Sequence, residues 1–180
     1  MTEVLDAILA APPRLGAVRL VAIDGPSGSG KSTLASAITA ELGAGVVVVP
    51  TDHFATWTDP VSWWPRLVEG VLTPLARGDA GRYQRTDWSG GTPRPGEWVD
   101  VGRPAVLVVE GVSSGRRSVR PELSALVWVE LAPAAARLER SVARDGASTR
   151  PDFVRWQAFE LGWFAVDGTK AAADIVIESR

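Results

Sequence analysis

The sequence contains no cysteine, a single histidine and a single tyrosine in 180 residues. Without cysteine there is no disulfide, no zinc–thiolate site and no thiol nucleophile. With His53 alone, a histidine-rich metal cluster is excluded as well. No apolar run is long enough to cross a bilayer, and the acidic start Met1-Thr2-Glu3-Val4-Leu5-Asp6 is unlike a signal peptide. A cytoplasmic protein is therefore expected. Net charge is also scarce: −2 overall gives no general attraction to nucleic acid or to anionic membranes, so neither is expected as a partner. A homo-oligomer is left open. Lysine is rarer still, with only two residues, Lys31 and Lys170, against 17 arginines.

What is present suits one globular domain. Apolar residues make up 46% and charged residues 22%, and the length allows a sizeable single core. One of the two lysines lies in Gly25-Pro26-Ser27-Gly28-Ser29-Gly30-Lys31-Ser32, which fits G-x-x-x-x-G-K-[ST], the phosphate-binding loop pattern. Ala17 to Ile23 reads as a buried strand before it, and Ser32 to Leu42 as a helix after it. Strand, glycine loop, helix is the arrangement that gives the pattern its meaning. Backbone N–H groups can wrap a triphosphate only where side chains do not obstruct, and the helix that follows directs its positive dipole end at the phosphates. Residues Gly25 to Thr33 are the expected nucleotide contacts. Lys31 is expected to reach the β- and γ-phosphates, and the Ser32 hydroxyl to face Mg²⁺.

Strand and helix patterns alternate along the rest of the chain. Thr2–Ala10 reads as a short amphipathic helix, and Val46–Val49 as a strand. Pro60–Arg77 reads as a helix interrupted by Pro65 and Pro74, and Ala105–Val109 and Ala125–Leu131 as strands. Pro133–Ala143 and Pro151–Val166 read as helices, and Ala173–Ile177 as a last strand. The polar stretch Gly78–Pro104 reads as an excursion with short strands at Arg82–Gln84 and Glu97–Val99. The predicted fold is α/β: a central parallel sheet flanked by helices in three layers, the P-loop NTPase arrangement. Ligands in such folds bind beyond the carboxyl ends of the strands. The loop at Gly25, Asp52 after the second strand and Glu110 after the third should meet there. Asp52 is placed to accept a hydroxyl proton or hold Mg²⁺, and Glu110, ending Leu107-Val108-Val109, has the form of a Walker B acid that acts on the metal.

Arg137, Arg140 and Arg144 are spaced three and four and share one helix face, with Arg150 in the polar loop that follows. An arginine lid over about 137–150 would supply cations to a transferring phosphoryl group while excluding water. A solvated face with Glu139 and Asp145 nearby accounts for the same spacing. Trp57, Trp63 and Trp64 fall near the acceptor side, where a ring could stack on a base. Phe153, Trp156, Trp163 and Val166 recur at helical spacing and read as core.

Taken together, Gly25–Ser32, Thr51-Asp52-His53-Phe54, Val109-Glu110-Gly111 and Arg137-Leu138-x-Arg140-x-x-x-Arg144-Asp145 resemble the uridine kinase-like branch of the P-loop kinases. Lys170 to Ile177 is similar to that family's closing Lys-x-x-Ala-Asp strand. The resemblance implies a nucleoside-kinase fold and ATP-dependent phosphorylation of a hydroxyl on a small-molecule acceptor, with ATP and Mg²⁺ as cofactors. It implies that Asp52 is the catalytic base, that Ser32 and Glu110 serve the metal, and that Arg140 and Arg144 are the lid arginines. The acceptor side departs from the pattern: Ala55-Thr56-Trp57 replaces the usual tyrosine, and Arg82-Tyr83-Gln84 lacks the aspartate of the corresponding strand. Other acceptors, such as a nucleoside monophosphate, a sugar or a vitamin, stay open, as does an ATP-binding module without turnover. No Asn-Lys-x-Asp motif and no Asp-x-x-Gly after Glu110 point to a GTPase.

Overall fold

In the computed structural model, which describes residues 1–179, five strands form one parallel sheet. They are β1 (Arg19–Asp24), β2 (Val46–Pro50), β5 (Val106–Glu110), β6 (Leu123–Glu130) and β7 (Ile175–Glu178), in the order β2-β5-β1-β6-β7. β1 is central, so the loop that follows it emerges mid-sheet. Alternation along the strands assigns their two faces. Leu20 and Ala22 join Leu107, Val109 and Leu126 in one core. Val21 and Ile23 join Val106, Val108 and Val127 in the other. Both faces are covered, which is why these strands read as apolar runs.

The second core is closed by α1 (Thr2–Ala10), through Val4 and Ile8, and by α2 (Lys31–Leu42), through Ala35 and Ile38. The first core is closed by the helical run from Trp64 to Ala76 and by a hairpin. The helix expected over 60–77, interrupted by Pro65 and Pro74, begins at Trp64 and is broken before Pro74. It comprises α3 (Trp64–Leu67), a π-helical turn (Val68–Leu72) and α4 (Thr73–Ala76). Pro74 has no N–H to give the carbonyl of Gly70, and the helix widens immediately before it. The hairpin is longer than the two short strands expected: β3 (Gly81–Asp87) pairs antiparallel with β4 (Arg94–Gly102). It forms its own two-stranded sheet and holds its tip, residues 88–93, beyond the carboxyl ends of the parallel strands.

The second half adds α5 (Ala134–Asp145), α6 (Arg150–Asp167) and the short α7 (Thr169–Ala172). The expected polar loop before α6 contains a 3₁₀ turn at Ala147–Thr149. The reading of Phe153, Trp156, Trp163 and Val166 as core is corrected at Val166. Phe153 and Trp156 are buried and Trp163 is half-buried, but Val166 is 80% exposed. Spacing by threes and fours identifies a face, not what covers it. No helix among the described residues is long and apolar enough to cross a membrane.

Candidate active site

β1 ends at Asp24, one residue later than its apolar pattern suggests, and the chain turns directly into the glycine loop. Gly25 and Gly28 carry positive φ, and both are also constrained by packing. A Cβ on Gly25 would sit 2.0 Å from the Val129 carbonyl oxygen, and one on Gly28 would sit 2.5 Å from the Arg137 carbonyl oxygen. These glycines are therefore required by the protein's own walls as well as by any ligand. Lys31 is buried, and its Nζ donates to the carbonyls of Gly25 and Pro26 at 2.8 and 2.9 Å. Its expected reach toward phosphate is folded back onto the loop.

A cleft of about 990 Å³ opens above the loop. Ser27, Gly28, Gly30, Lys31, Ser32 and Thr33 line one end. Gly25, Pro26 and Ser29 support the loop from beneath without lining the cleft; Ser29 is fully buried, and its carbonyl accepts a hydrogen bond from the Ser179 hydroxyl at 2.6 Å. Asp52 and Glu110 reach the same cleft from the ends of β2 and β5. The Ser32 hydroxyl donates to Glu110 Oε1 at 3.0 Å. Burial pushes the Glu110 carboxyl above its ordinary range, and Lys31 pulls it back. Asp52 is exposed at the mouth, and its carbonyl accepts from Trp88 Nε1 at 3.0 Å.

Ser32 and Glu110 are hard oxygen donors side by side, the kind that Mg²⁺ takes. Among the described residues no group of three or more His, Asp or Glu side chains gathers into a metal cage. A Mg²⁺ here would complete its shell with phosphate oxygens and water, as that ion commonly does.

The arginine stripe divides. Arg140 and Arg144 line the cleft. Arg144 makes a two-pronged pair with Asp145 at 2.7 Å through each nitrogen, and that bond is the main reason its guanidinium is held even more firmly protonated. Arg137 instead caps the Leu131 carbonyl at 2.6 Å. Arg150 pairs with Glu139 at 2.6 and 2.7 Å on an exposed surface, as the solvated-face reading has it.

The tryptophans divide too. Trp63 is buried under the site, stacked on Phe54 with centroids 5.2 Å apart, and is not available to a base. Trp64 sits under the Arg116 guanidinium at 4.1 Å. Trp57 alone of the three lines the cleft, joined by Trp88, Phe153 and Trp156. The last three rings stand at 75°, 90° and 86° to Trp57, with centroids 5.1 to 5.5 Å away. His53 packs beside the site, its Nδ1 2.7 Å from the Tyr83 hydroxyl, and burial lowers its pKa.

Two carboxylates escaped the sequence reading. Asp24 is fully buried and accepts from the backbone N–H groups of Gly25 (2.7 Å), Ser113 (3.0 Å) and Gly115 (2.8 Å). It ties the glycine loop to the loop after β5, and burial pushes its pKa up to about 6. Glu160, on α6, meets the glycine loop itself at Ser27. An acid directly before the first loop glycine was a visible signal for Asp24. Glu160 had none, being 133 positions from its partner.

No family model and no curated protein sequence matches the chain. Solved structures do match over nearly its whole length. A possible uridine kinase from Bacillus stearothermophilus superposes with a TM-score of 0.65 at 20% identity, covering 98% of this chain and 96% of that one. The chain has the P-loop kinase fold. The uridine kinase-like resemblance expected from the motifs is met at this level. A candidate fructose transport system kinase from Silicibacter sp. TM1040 superposes at 0.62 with 22% identity, over 97% of each chain. YFH7 from Saccharomyces cerevisiae, described as a P-loop kinase candidate with a circular permutation, gives 0.54 at 11% identity, over 99% of each chain.

Proposed function

We propose that the protein is an ATP-dependent small-molecule kinase of uridine kinase-like character, transferring the γ-phosphoryl group to a hydroxyl of a nucleoside or similar compound. One observation carries this reading: the loop of Lys31 and Ser32, the acids Asp52 and Glu110, and the arginines Arg140 and Arg144 line a single cleft. Segments far apart in sequence converge there, and their residue types are those that phosphoryl transfer requires, which supports the reading.

In the proposed reaction the loop N–H groups and Lys31, released from its two carbonyls, bind the phosphates. Ser32 and Glu110 would hold Mg²⁺, which would screen charge on the phosphate oxygens. Asp52 takes the proton of the acceptor hydroxyl as that oxygen bonds to the γ-phosphorus. The bond from the γ-phosphorus to the bridging oxygen breaks, and ADP leaves with that electron pair. Arg140 and Arg144, in a lid over about 137–150, meet the charge spread over the transferring group. The hairpin within the 78–104 excursion brings Trp88 to the acceptor side, where Trp57, Phe153 and Trp156 provide an apolar wall for a ring. The cytoplasm, where ATP is plentiful, is the setting that this chemistry suits.

The test is acceptor-dependent ADP release with MgATP and a panel of nucleosides, nucleoside monophosphates, sugars and vitamins. Release with a nucleoside supports the full reading. Release only with another class keeps the kinase and replaces the acceptor. ATP binding without release from any acceptor refutes the enzyme in favour of a binding module.

A further inference from the structure

Glu160 is only 2% exposed, in the middle of α6, yet it is not part of an apolar helix contact. Its two carboxylate oxygens accept from the Ser27 backbone N–H at 3.1 and 3.0 Å, and Oε1 also accepts from the Ser27 hydroxyl. Ser27 lies in the glycine loop and lines the cleft. A loop built to present N–H groups to an anion thus already holds one. Lys31 completes the internal arrangement by donating to the carbonyls of Gly25 and Pro26. Burial holds the Glu160 carboxyl above its ordinary range, with Lys31 opposing. The carboxylate is therefore poorly solvated where it sits, and a second anion beside it raises its energy further.

Glu160 also shares a helix face with the acceptor wall. Trp156 precedes it by four residues, and Phe153 and Asp152 by seven and eight, so all four fall on one side of α6. All three of those residues line the cleft.

Resting on the reading of the loop as a polyphosphate site, we propose that Glu160 is an internal occupant of the phosphate loop, displaced when a nucleoside triphosphate binds. It is a positioning residue that sets nucleotide affinity and passes loop occupancy along α6 to the aromatic acceptor wall. A carboxylate and a polyphosphate compete for the same Ser27 donors, so removing the charge strengthens binding. A merely structural brace predicts the opposite, because its loss loosens the loop and weakens binding.

The experiment measures dissociation constants of MgATP and of inorganic tripolyphosphate for the parent, Glu160→Gln and Glu160→Ala. Hydrogen exchange is followed in residues 152–164 of the parent with and without MgATP. Both variants should bind both probes about fivefold more tightly or better, the scale of ordinary site-to-site coupling. In the parent, exchange in that segment should quicken when MgATP enters and Glu160 leaves Ser27. Unchanged or weaker binding by both variants overturns the proposal, as does exchange in α6 that ignores MgATP. The exchange measurement decides alone if the variants do not fold. A parent that binds neither probe overturns the phosphate-loop reading itself, which separates that failure from this one.

Discussion

Replacing Asp24 with Asn separates a buried charge from the hydrogen bonds that surround it. Asp24 is inaccessible to solvent and accepts three backbone N–H groups, from Gly25, Ser113 and Gly115. Burial nevertheless dominates and carries its pKa from 3.8 to about 6. A folded-state pKa above the unfolded one means that the native state holds the proton more tightly. The associated stability is full below pH 3.8 and is lost as pH rises through about 6. At ~1.4 kcal/mol for each tenfold change in proton affinity, the whole loss is about 3 kcal/mol. About 2 kcal/mol of it falls between pH 4.5 and 7.5. Asparagine has no such titration. Its amide can keep the bonds on Oδ1, but its NH₂ group faces the Gly115 N–H, donor against donor, at about 1–3 kcal/mol. The Asp24→Asn variant should therefore be less stable than the parent at pH 4.5 and closer to it at pH 7.5. The gap between the two proteins should narrow by about 2 kcal/mol across that range. Urea unfolding of both proteins at several pH values measures it. Glu110 and Glu160 are also shifted upward, but they are common to both proteins and cancel in the difference. A gap that stays constant, or widens as pH rises, refutes the assignment of a desolvated charge at Asp24.

Lys31→Ala should leave the fold intact and cut acceptor-dependent turnover by ~10²-fold or more, the scale on which charge stabilisation at phosphate operates; normal turnover would contradict the loop's role. Asp52→Asn should keep ATP affinity and lose the chemical step by ~10²–10⁴-fold in single-turnover kinetics. Glu110→Gln should raise the Mg²⁺ concentration needed for half-maximal rate. Because burial holds the Glu110 carboxyl above its ordinary range, Mg²⁺ affinity of the parent should decline on acidification sooner than an ordinary glutamate would dictate. Arg144→Ala should lower kcat by more than it raises the ATP dissociation constant, and exchange in residues 144–150 should slow with ATP and acceptor together. If neither changes, Arg144 merely pairs with Asp145.

The glycine loop was legible because its signal is local. Glycines, lysine and serine at fixed offsets, between an apolar run and a helix, specify one backbone path whatever lies around it. Asp52 and Glu110 were legible for a related reason: each ends an apolar run, and parallel strands in one sheet bring their ends to one side. Tertiary structure decided what surrounds these groups. Helical spacing grouped Arg137, Arg140, Arg144 and the α6 aromatics, but periodicity is blind to what faces a residue. Only packing turned Arg140 and Arg144 into the cleft, directed Arg137 to the Leu131 carbonyl and left Val166 in solvent. It also placed Trp63 beneath the site and Trp88 within it. Of Asp24 the chain shows only its place directly before Gly25, and Glu160 belongs wholly to that second kind of information. Their partners Gly115 and Ser27 lie 91 and 133 positions away, and the desolvation that shifts them comes from the folded protein as a whole. A chemical pattern that closes over a few residues can be read from the chain, whereas burial and opposing charge exist only once distant segments meet.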